Sequence, residues 1–194
     1  DLHLLSRRQR QMCIRDSRML LLPSIDELQG GKIQLRALPE VRIEDLLGRE
    51  EIRINMEEIA GSLKGKVVLV TGAAGSIGSE LCRQLCHFGL KQLVLFDSAE
   101  TPMHNIRLEL EEKFPDVEFT PVMGDIRMIH RVESIYQRFR PHIVFHAAAY
   151  KHVPLMEENP CEAVHTNVYG TRNVADMAVK YDVDKFITVS YTHL

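Results

Sequence analysis

Residues 66–78 read KVVLVTGAAGSIG, and this stretch decides how the rest of the chain is interpreted. The β-branched apolar run 66–71 predicts a buried strand, and the glycine-rich turn after it leads directly into a helix-like segment. Glycine is needed where a turn requires positive φ, where a pyrophosphate approaches the backbone, and where a helix packs closely on a strand. The stretch therefore predicts a loop that holds a dinucleotide at a helix N-terminus.

An acidic residue at the end of the next predicted strand strengthens this interpretation. Asp97 follows Gly78 by 97 minus 78, or 19, residues, close to the roughly 20 expected for a carboxylate that binds the adenine ribose hydroxyls. Such a carboxylate would repel a 2′ phosphate, so the sequence favours NAD over NADP. Arg107 leaves NADP open as the alternative.

The segments after Lys64 alternate between strand-like and helix-like patterns. Five strands separated by four helices predict an α/β fold, a Rossmann-like doubly wound parallel sheet that is truncated after the fifth strand. Right-handed crossovers give the strand order 3-2-1-4-5. The predicted strands are 66–71, 92–96, 117–123, 143–146 and 185–190, and the predicted helices are 77–88, 100–114, 128–139 and 157–181.

The regions around this sheet have a different character. Residues 18–62 mix short apolar pieces with charges and glycines, which predicts a linker with brief strand and turn elements from an upstream domain. Residues 63–190 form the predicted NAD(P)-binding domain. Residues 1–17 and 191–194 do not continue the pattern and resemble translated sequencing-adapter text, so we expect non-native tails, with disordered termini as the alternative.

The composition excludes several classes of protein. With 45% hydrophobic and 26% charged residues and a net charge of -3, the chain has the composition of a globular domain and no basic footprint for nucleic acid. The four cysteines and the histidines show no metal-ligand spacing, so we predict free thiols and no metal site. The apolar run 19–22 is too short to span a bilayer.

Two further loops lie at predicted strand ends, where ligands bind in open α/β sheets. Asp125 and Ile126 follow the third strand and are candidates to face the adenine, although a plain turn explains them equally well. The small residues 147–149 follow the fourth strand and would let a ligand lie against the backbone. Lys151 and His152 come next and would project toward the crevice, with a solvated loop as the equal alternative.

Several strings of the sequence resemble one enzyme family. The spacing in TGAAGSIG is similar to that of the extended short-chain dehydrogenases/reductases. The strings VTGAAGSIGSELCRQL, GDIR, HAAAYKHVPLMEENP and TNVYGTRNV resemble the UDP-N-acetylglucosamine 4,6-dehydratases of bacterial capsule and O-antigen synthesis, over about residues 23–190. The string IEDLLGRE ahead of the glycine loop is similar to the long, membrane-anchored members.

This resemblance implies an activity, a cofactor and partners. NAD(P)+ would take a hydride from carbon 4 of a UDP-sugar, water would leave across carbons 5 and 6, and the hydride would return to carbon 6. The longer protein would be a homo-oligomer at the bacterial inner membrane, attached only through its N-terminal region, with this domain cytoplasmic. The implied contacts are Gly72, Gly75, Ser76, Ile77 and Gly78 for the pyrophosphate, Asp97 for the ribose, Asp125 and Ile126 for the adenine, Ala147, Ala148 and Ala149 along the cofactor, and Lys151 and His152 near the nicotinamide ribose and the sugar nucleotide.

The sequence departs from the family at its end. In the family the fifth strand leads into Ser-Thr-Asp-Lys-Ala and then Tyr-or-Met-x-x-x-Lys, which supply the acid/base groups, whereas here Ser190 is followed by YTHL. Because proton transfer needs positioned groups, we assign no catalytic residue and expect the chain by itself to be inactive. Two alternatives stay open, namely another extended reductase such as a nucleotide-sugar 4-epimerase, and a non-catalytic NAD(P)-binding module.

Overall fold

A computed structural model describes residues 56–189, so the predicted tails and the predicted linker up to residue 55 lie outside the described residues. Five parallel strands form a single sheet in the order β3-β2-β1-β4-β5. The predicted fold class and strand order are therefore confirmed. The strands are β1 (Val67–Thr71), β2 (Gln92–Asp97), β3 (Phe119–Met123), β4 (Ile143–His146) and β5 (Lys185–Thr188).

Helices connect successive strands and cover both faces of the sheet. A 3₁₀ turn, Cys86–Phe88, extends the second helix and ends at Gly89, whose φ of 61° is left-handed. No helix in the part of the chain from 56 to 189 is both long and apolar enough to cross a bilayer. The α-helices are α1 (Met56–Leu63), α2 (Ser76–Leu85), α3 (Glu100–Lys113), α4 (Ile129–Phe139), α5 (Val153–Glu158), α6 (Pro160–Val164) and α7 (Thr171–Lys180), and a π-helix, His165–Gly170, joins α6 to α7.

The central strand β1 is buried along its whole length. Val68 and Val70 belong to the core layer formed with α1, α2 and α3, whereas Val67 and Leu69 belong to the layer formed with α4 and α7. This division follows the two-residue period of a strand, and burial on both faces explains why the run is continuously apolar. Cys82 and Cys86 are free thiols in the first layer, and burial raises the pKa of both, that of Cys86 to about 11.

The end of the predicted linker differs from the prediction, because residues 56–62 are helical rather than strand or turn. Leu63 is only 4% exposed and Ile59 packs against the same core layer. These two residues are four apart, so a helix places them on one face, where burial of both offsets the low helix propensity of Gly61. The described domain therefore includes α1.

The long helix predicted over 157–181 is also wrong in its form. A helix begins earlier, at Val153, and Asn159 then leaves the helical region with φ of -132° and ψ of 57°. Pro160 has no backbone amide to continue the α5 ladder, and instead it starts α6. The π-helix follows before α7 begins. The other element boundaries differ from the predictions by about one or two residues, as is usual for element ends.

Candidate functional site

A cavity of about 290 Å³ lies where the carboxyl ends of the central strands meet, and we call it the carboxyl-edge cavity. Its walls are formed mainly by the loops that follow β1, β2, β3 and β4, and Phe96 of β2, Pro102 of α3 and Thr166 of the π-helix complete them. This is the edge at which ligands bind in open α/β sheets. Eight of the predicted site residues line it, namely Gly72, Gly75, Asp97, Asp125, Ile126, Ala147, Ala148 and Ala149.

The glycine loop forms one wall of the cavity. Gly72 has a φ of 67°, and a Cβ added there would lie 2.6 Å from the Ala147 carbonyl oxygen, so only glycine fits. A Cβ on Gly78 would overlap the Gly72 carbonyl, so this glycine lets α2 pack on the loop. Ser76, Ile77 and Gly78 form the first turn of α2, which Gly75 precedes without a side-chain cap. Amides in a first helical turn without a cap are suited to an anion.

Asp97 connects the glycine loop to the loop after β2. Its Oδ2 accepts a hydrogen bond from the Ala74 amide at 2.9 Å, and its Oδ1 accepts one from the Ala99 amide at 3.0 Å. A carboxylate has about four lone-pair sites, so both oxygens keep capacity for ligand hydroxyls. The carboxylate is therefore held in place at the cavity wall.

Asp125 is held by a neighbour that the sequence interpretation passed over. Arg127 donates to its Oδ2 from Nε at 2.8 Å and from Nη2 at 2.6 Å, and the Arg127 amide donates to its Oδ1 at 2.8 Å. These bonds hold the pKa of the Asp125 carboxyl below its usual range. Arg127 also donates to Glu162 of α6 at 2.7 Å. No local sequence pattern signals a pair 35 residues apart, so this contact is visible only in the folded structure.

The loop after β4 is fixed by a side chain of the π-helix. Asn167 accepts a hydrogen bond from the Tyr150 amide at 2.8 Å and donates to the Tyr150 carbonyl at 2.9 Å. A side-chain amide that pairs with both backbone groups of one residue fixes that residue's position. Asn167 therefore has a structural role in the wall formed by residues 147–150.

Thr166 is a cavity residue that the sequence analysis missed. The residue is 8% exposed, and its hydroxyl is the one buried side-chain polar atom within residues 56–189 that has no hydrogen-bond partner. Such a group is costly to bury without a hydrogen bond, and Thr166 lies on the wall of the cavity. The π-helix puts it there, and no sequence period predicts a π-helix.

Lys151 and His152 lie outside the lining of the cavity. The Lys151 ammonium donates to the Ser76 hydroxyl at 3.1 Å, which places it beside the first turn of α2. His152 is exposed at the residue before α5. Among the described residues, no three His, Cys, Asp or Glu side chains form a group that would hold a metal ion.

A buried histidine stands behind the cavity wall. His146 ends β4 and is 3% exposed, with its Nδ1 2.6 Å from the Thr71 hydroxyl and its Nε2 2.9 Å from the Thr171 hydroxyl. Burial lowers the pKa of His146 to about 4. The imidazole is therefore neutral at physiological pH.

Several proteins of known name are similar to this chain in sequence. The capsular polysaccharide biosynthesis protein CapD of Staphylococcus aureus is 41% identical over 87% of this chain, which spans 28% of CapD. A UDP-glucose 4-epimerase of Rickettsia rickettsii is 33% identical over 64% of the chain and 36% of the relative. A UDP-N-acetylglucosamine 4,6-dehydratase (inverting) of Campylobacter jejuni is 32% identical over 65% of the chain and 36% of the relative.

Solved structures show the same fold. Pen from Bacillus thuringiensis is 34% identical, with a TM-score of 0.61 over 66% of this chain and 39% of that one. A UDP-glucose 4-epimerase from Stenotrophomonas maltophila, solved with bound NAD and formylated UDP-arabinopyranose, is 26% identical, with a TM-score of 0.58 over 66% of this chain and 37% of that one. The chain thus spans less than half the length of each of these proteins.

The family described as polysaccharide biosynthesis protein matches residues 68–192, which begin in β1 and include the glycine loop and all the loops of the carboxyl-edge cavity. A match over most of the chain agrees with the strand order and with the relatives named above. The chain therefore belongs to the polysaccharide biosynthesis protein family of the extended short-chain dehydrogenases/reductases.

Proposed function

We propose that this chain is the NAD-binding part of a nucleotide-sugar 4,6-dehydratase of the UDP-N-acetylglucosamine type, which acts in the synthesis of a bacterial surface polysaccharide. One observation carries the NAD-binding part of the proposal. The carboxyl-edge cavity brings together an uncapped helix start after a glycine loop, a fixed carboxylate, Asp97, and a buried hydroxyl without a partner, Thr166. These are a donor set for a phosphate, an acceptor for ribose hydroxyls and a polar contact for an adenosine.

The residues present fit a dinucleotide. The loop backbone at Gly72 leaves no room for a Cβ, and the amides of Ser76, Ile77 and Gly78 would hold the pyrophosphate. Asp97 would accept hydrogen bonds from the adenine ribose hydroxyls and would repel the 2′ phosphate of NADP. Asp125, Ile126 and the small residues 147–149 would border the rest of the cofactor, and Thr166 would hydrogen-bond the adenosine half.

The chain's own contribution to the reaction is binding and orientation. When bound there, NAD would accept and return a hydride at the sugar. Lys151, whose ammonium donates to the Ser76 hydroxyl in the first turn of α2, would bring positive charge to the phosphates, and His152 would lie toward the sugar nucleotide. No residue within 56–189 is proposed as the acid or base of the reaction.

The relatives support both a dehydratase and an epimerase, which share binding and hydride transfer. The strings shared with the dehydratases, AAYKHVP above all, favour the dehydratase, while the epimerase relatives keep the isomerase as the second candidate. The longer protein's attachment to a membrane and its homo-oligomeric state are parts of the same proposal. Membrane fractionation and size-exclusion chromatography of the full-length gene product test them.

A titration tests the cofactor. Measured by isothermal titration calorimetry, the full-length gene product is expected to bind NAD more tightly than NADP. The substitution Asp97→Asn is expected to reduce that preference by about ten-fold, because the lost carboxylate charge repels the 2′ phosphate of NADP by roughly one kcal/mol or more. Asp116→Asn, on the exposed turn after α3, is the matched control and leaves the preference unchanged. Equal affinity for NAD and NADP in the unmodified protein contradicts the proposed role of Asp97.

Mass spectrometry separates the activities. The full-length protein is incubated with UDP-N-acetylglucosamine and NAD, and the molecular mass of the product is measured. A dehydratase gives a product lighter by one water molecule, whereas an epimerase gives an isomer of unchanged mass. No product, together with intact NAD binding, supports the non-catalytic module instead.

A further inference from the structure

We propose that His146 is a positioning residue for the carboxyl-edge cavity, because its imidazole, held between the hydroxyls of Thr71 and Thr171, sets the separation of the glycine loop from the π-helix. The three residues come from β1, β4 and α7, and they are 75 and 25 residues apart along the chain. Thr71 and His146 are also register partners in the sheet, so the side-chain bond reinforces a backbone pairing at the strand ends.

The two ring nitrogens of His146 determine which threonine hydroxyl donates and which accepts. A neutral imidazole has one N–H donor and one acceptor nitrogen, so one threonine hydroxyl must donate to the ring while the other accepts from it. The ring of Phe186 stacks on the imidazole at 5.9 Å between centroids and shields it from water. Because His146 is buried, losing either hydroxyl leaves a ring nitrogen without its partner, which costs more than the bond itself contributes.

Each member of the group is joined through the backbone to a segment of the cavity wall. Thr71 precedes Gly72, His146 precedes Ala147, and Thr171 follows the π-helix that carries Thr166 and Asn167. None of the three belongs to the cavity lining itself.

The wall segments are in such close contact that small displacements matter. A Cβ on Gly72 would lie 2.6 Å from the Ala147 carbonyl oxygen and 2.6 Å from the Ala148 nitrogen, so the two backbones already touch. The Ala147 amide also donates to the Thr71 carbonyl at 3.0 Å. A shift of β1 against β4 at this point therefore changes the cavity directly.

Hydrogen–deuterium exchange of the full-length protein tests the inference without a ligand. We expect Thr71→Val and Thr171→Val to raise exchange by about five-fold at the amides of residues 72–75 and 147–150, while Thr71→Ser and Thr171→Ser, which keep the hydroxyl, behave as the unmodified protein. Thr120→Val is the matched control, because Thr120 accepts a bond from Gln92 in the same sheet away from the cavity. Unchanged exchange in the valine variants, or serine variants that behave like them, overturns the inference.

A second readout is NAD affinity, and this arm rests on the proposed function. The valine variants are expected to raise the Kd of NAD by about five-fold and the serine and Thr120→Val variants to leave it unchanged. If exchange rises and NAD affinity does not change, the Thr71–His146–Thr171 hydrogen bonds stabilise the strand ends without determining the geometry of the cavity, and the inference is overturned. If the unmodified protein binds no NAD, the proposed function fails, and the exchange data alone decide the role of His146.

Discussion

Two walls of the carboxyl-edge cavity are built in different ways. The glycine-loop wall, which consists of residues 72–75 and Asp97, follows from one continuous β1–α2–β2 unit and is shaped by its own backbone. The π-helix wall, which consists of residues 147–150 and 165–170, is held by side chains that reach across the fold, such as Asn167 on Tyr150 and Thr171 on His146. Backbone sterics thus set the first wall, and hydrogen bonds over long chain separations set the second.

The largest effect is expected in the glycine-loop wall. Gly78→Ala would place a Cβ against the Gly72 carbonyl, and because neither backbone can move freely, we expect a loss of about 3 kcal/mol in the free energy of unfolding. Gly61→Ala is the matched control, since it lies in α1 with open space around it, and it is expected to stabilise by about 0.5–1 kcal/mol. Urea unfolding measures both, and a similar change in the two variants would contradict the assigned contact.

The pH dependence of stability tests the buried histidine behind the π-helix wall. Its pKa is about 4 in the folded protein and near 6.5 in the unfolded chain, so the unfolded chain binds the extra proton between these values. Stability is therefore full above about pH 6.5 and falls as the pH drops toward 4, by on the order of 3 kcal/mol.

Unfolding curves measured between pH 7 and pH 4.5 check this expectation. His146→Gln should reduce the slope of the unfolding free energy by about 1.4 kcal/mol per pH unit below pH 6.5. Thr120→Val, which removes no titratable group, is the control and should keep the slope of the unmodified protein. An unchanged slope in His146→Gln would show that another group titrates there.

A smaller effect is expected for the side-chain pairing in the π-helix wall. Asn167→Ala removes the two bonds to the Tyr150 backbone, and we expect a loss of about 1–2 kcal/mol together with weaker NAD binding. Asn159→Ala removes one local bond to the Leu155 carbonyl and is expected to leave NAD binding unchanged. Thermal unfolding and NAD titration of both variants make the comparison, and equal NAD affinity in the two would count against a side-chain-held wall.

The smallest effect is expected at the exposed contact between Ser76 and Lys151, which lies beyond the two walls. Ser76→Ala removes the acceptor of the Lys151 ammonium, but both side chains are exposed, so we expect a stability change within about 0.5 kcal/mol. Ser79→Ala, one turn along the same helix, is the control. A loss well above that range in Ser76→Ala alone would mean that this contact stabilises the fold more strongly than its exposure suggests.

The contrast between the two walls explains which features of the fold and the site could be predicted from the sequence. The strand order, the glycine loop and the placement of Asp97 at the cavity follow from local patterns, namely apolar runs, a strand–turn–helix junction and a fixed spacing. The helix 157–181 was wrong in form, because a break at Asn159 and a π-helix are decided by local proline geometry and tertiary bonds rather than by hydrophobic period. The binding roles of the predicted site residues stay predictions.

The sequence by itself determined the class of fold and the loop that begins the site. Strands buried on both faces of a parallel sheet need continuous apolar runs, and backbone with positive φ needs glycine, and both are patterns of adjacent residues. Only the tertiary structure decided which distant side chains complete the site. It joined Arg127 to Glu162, His146 to Thr71 and Thr171, and it placed the Thr166 hydroxyl in the cavity wall without a partner. These contacts arise from the packing of elements that are far apart in the chain, which no local pattern encodes.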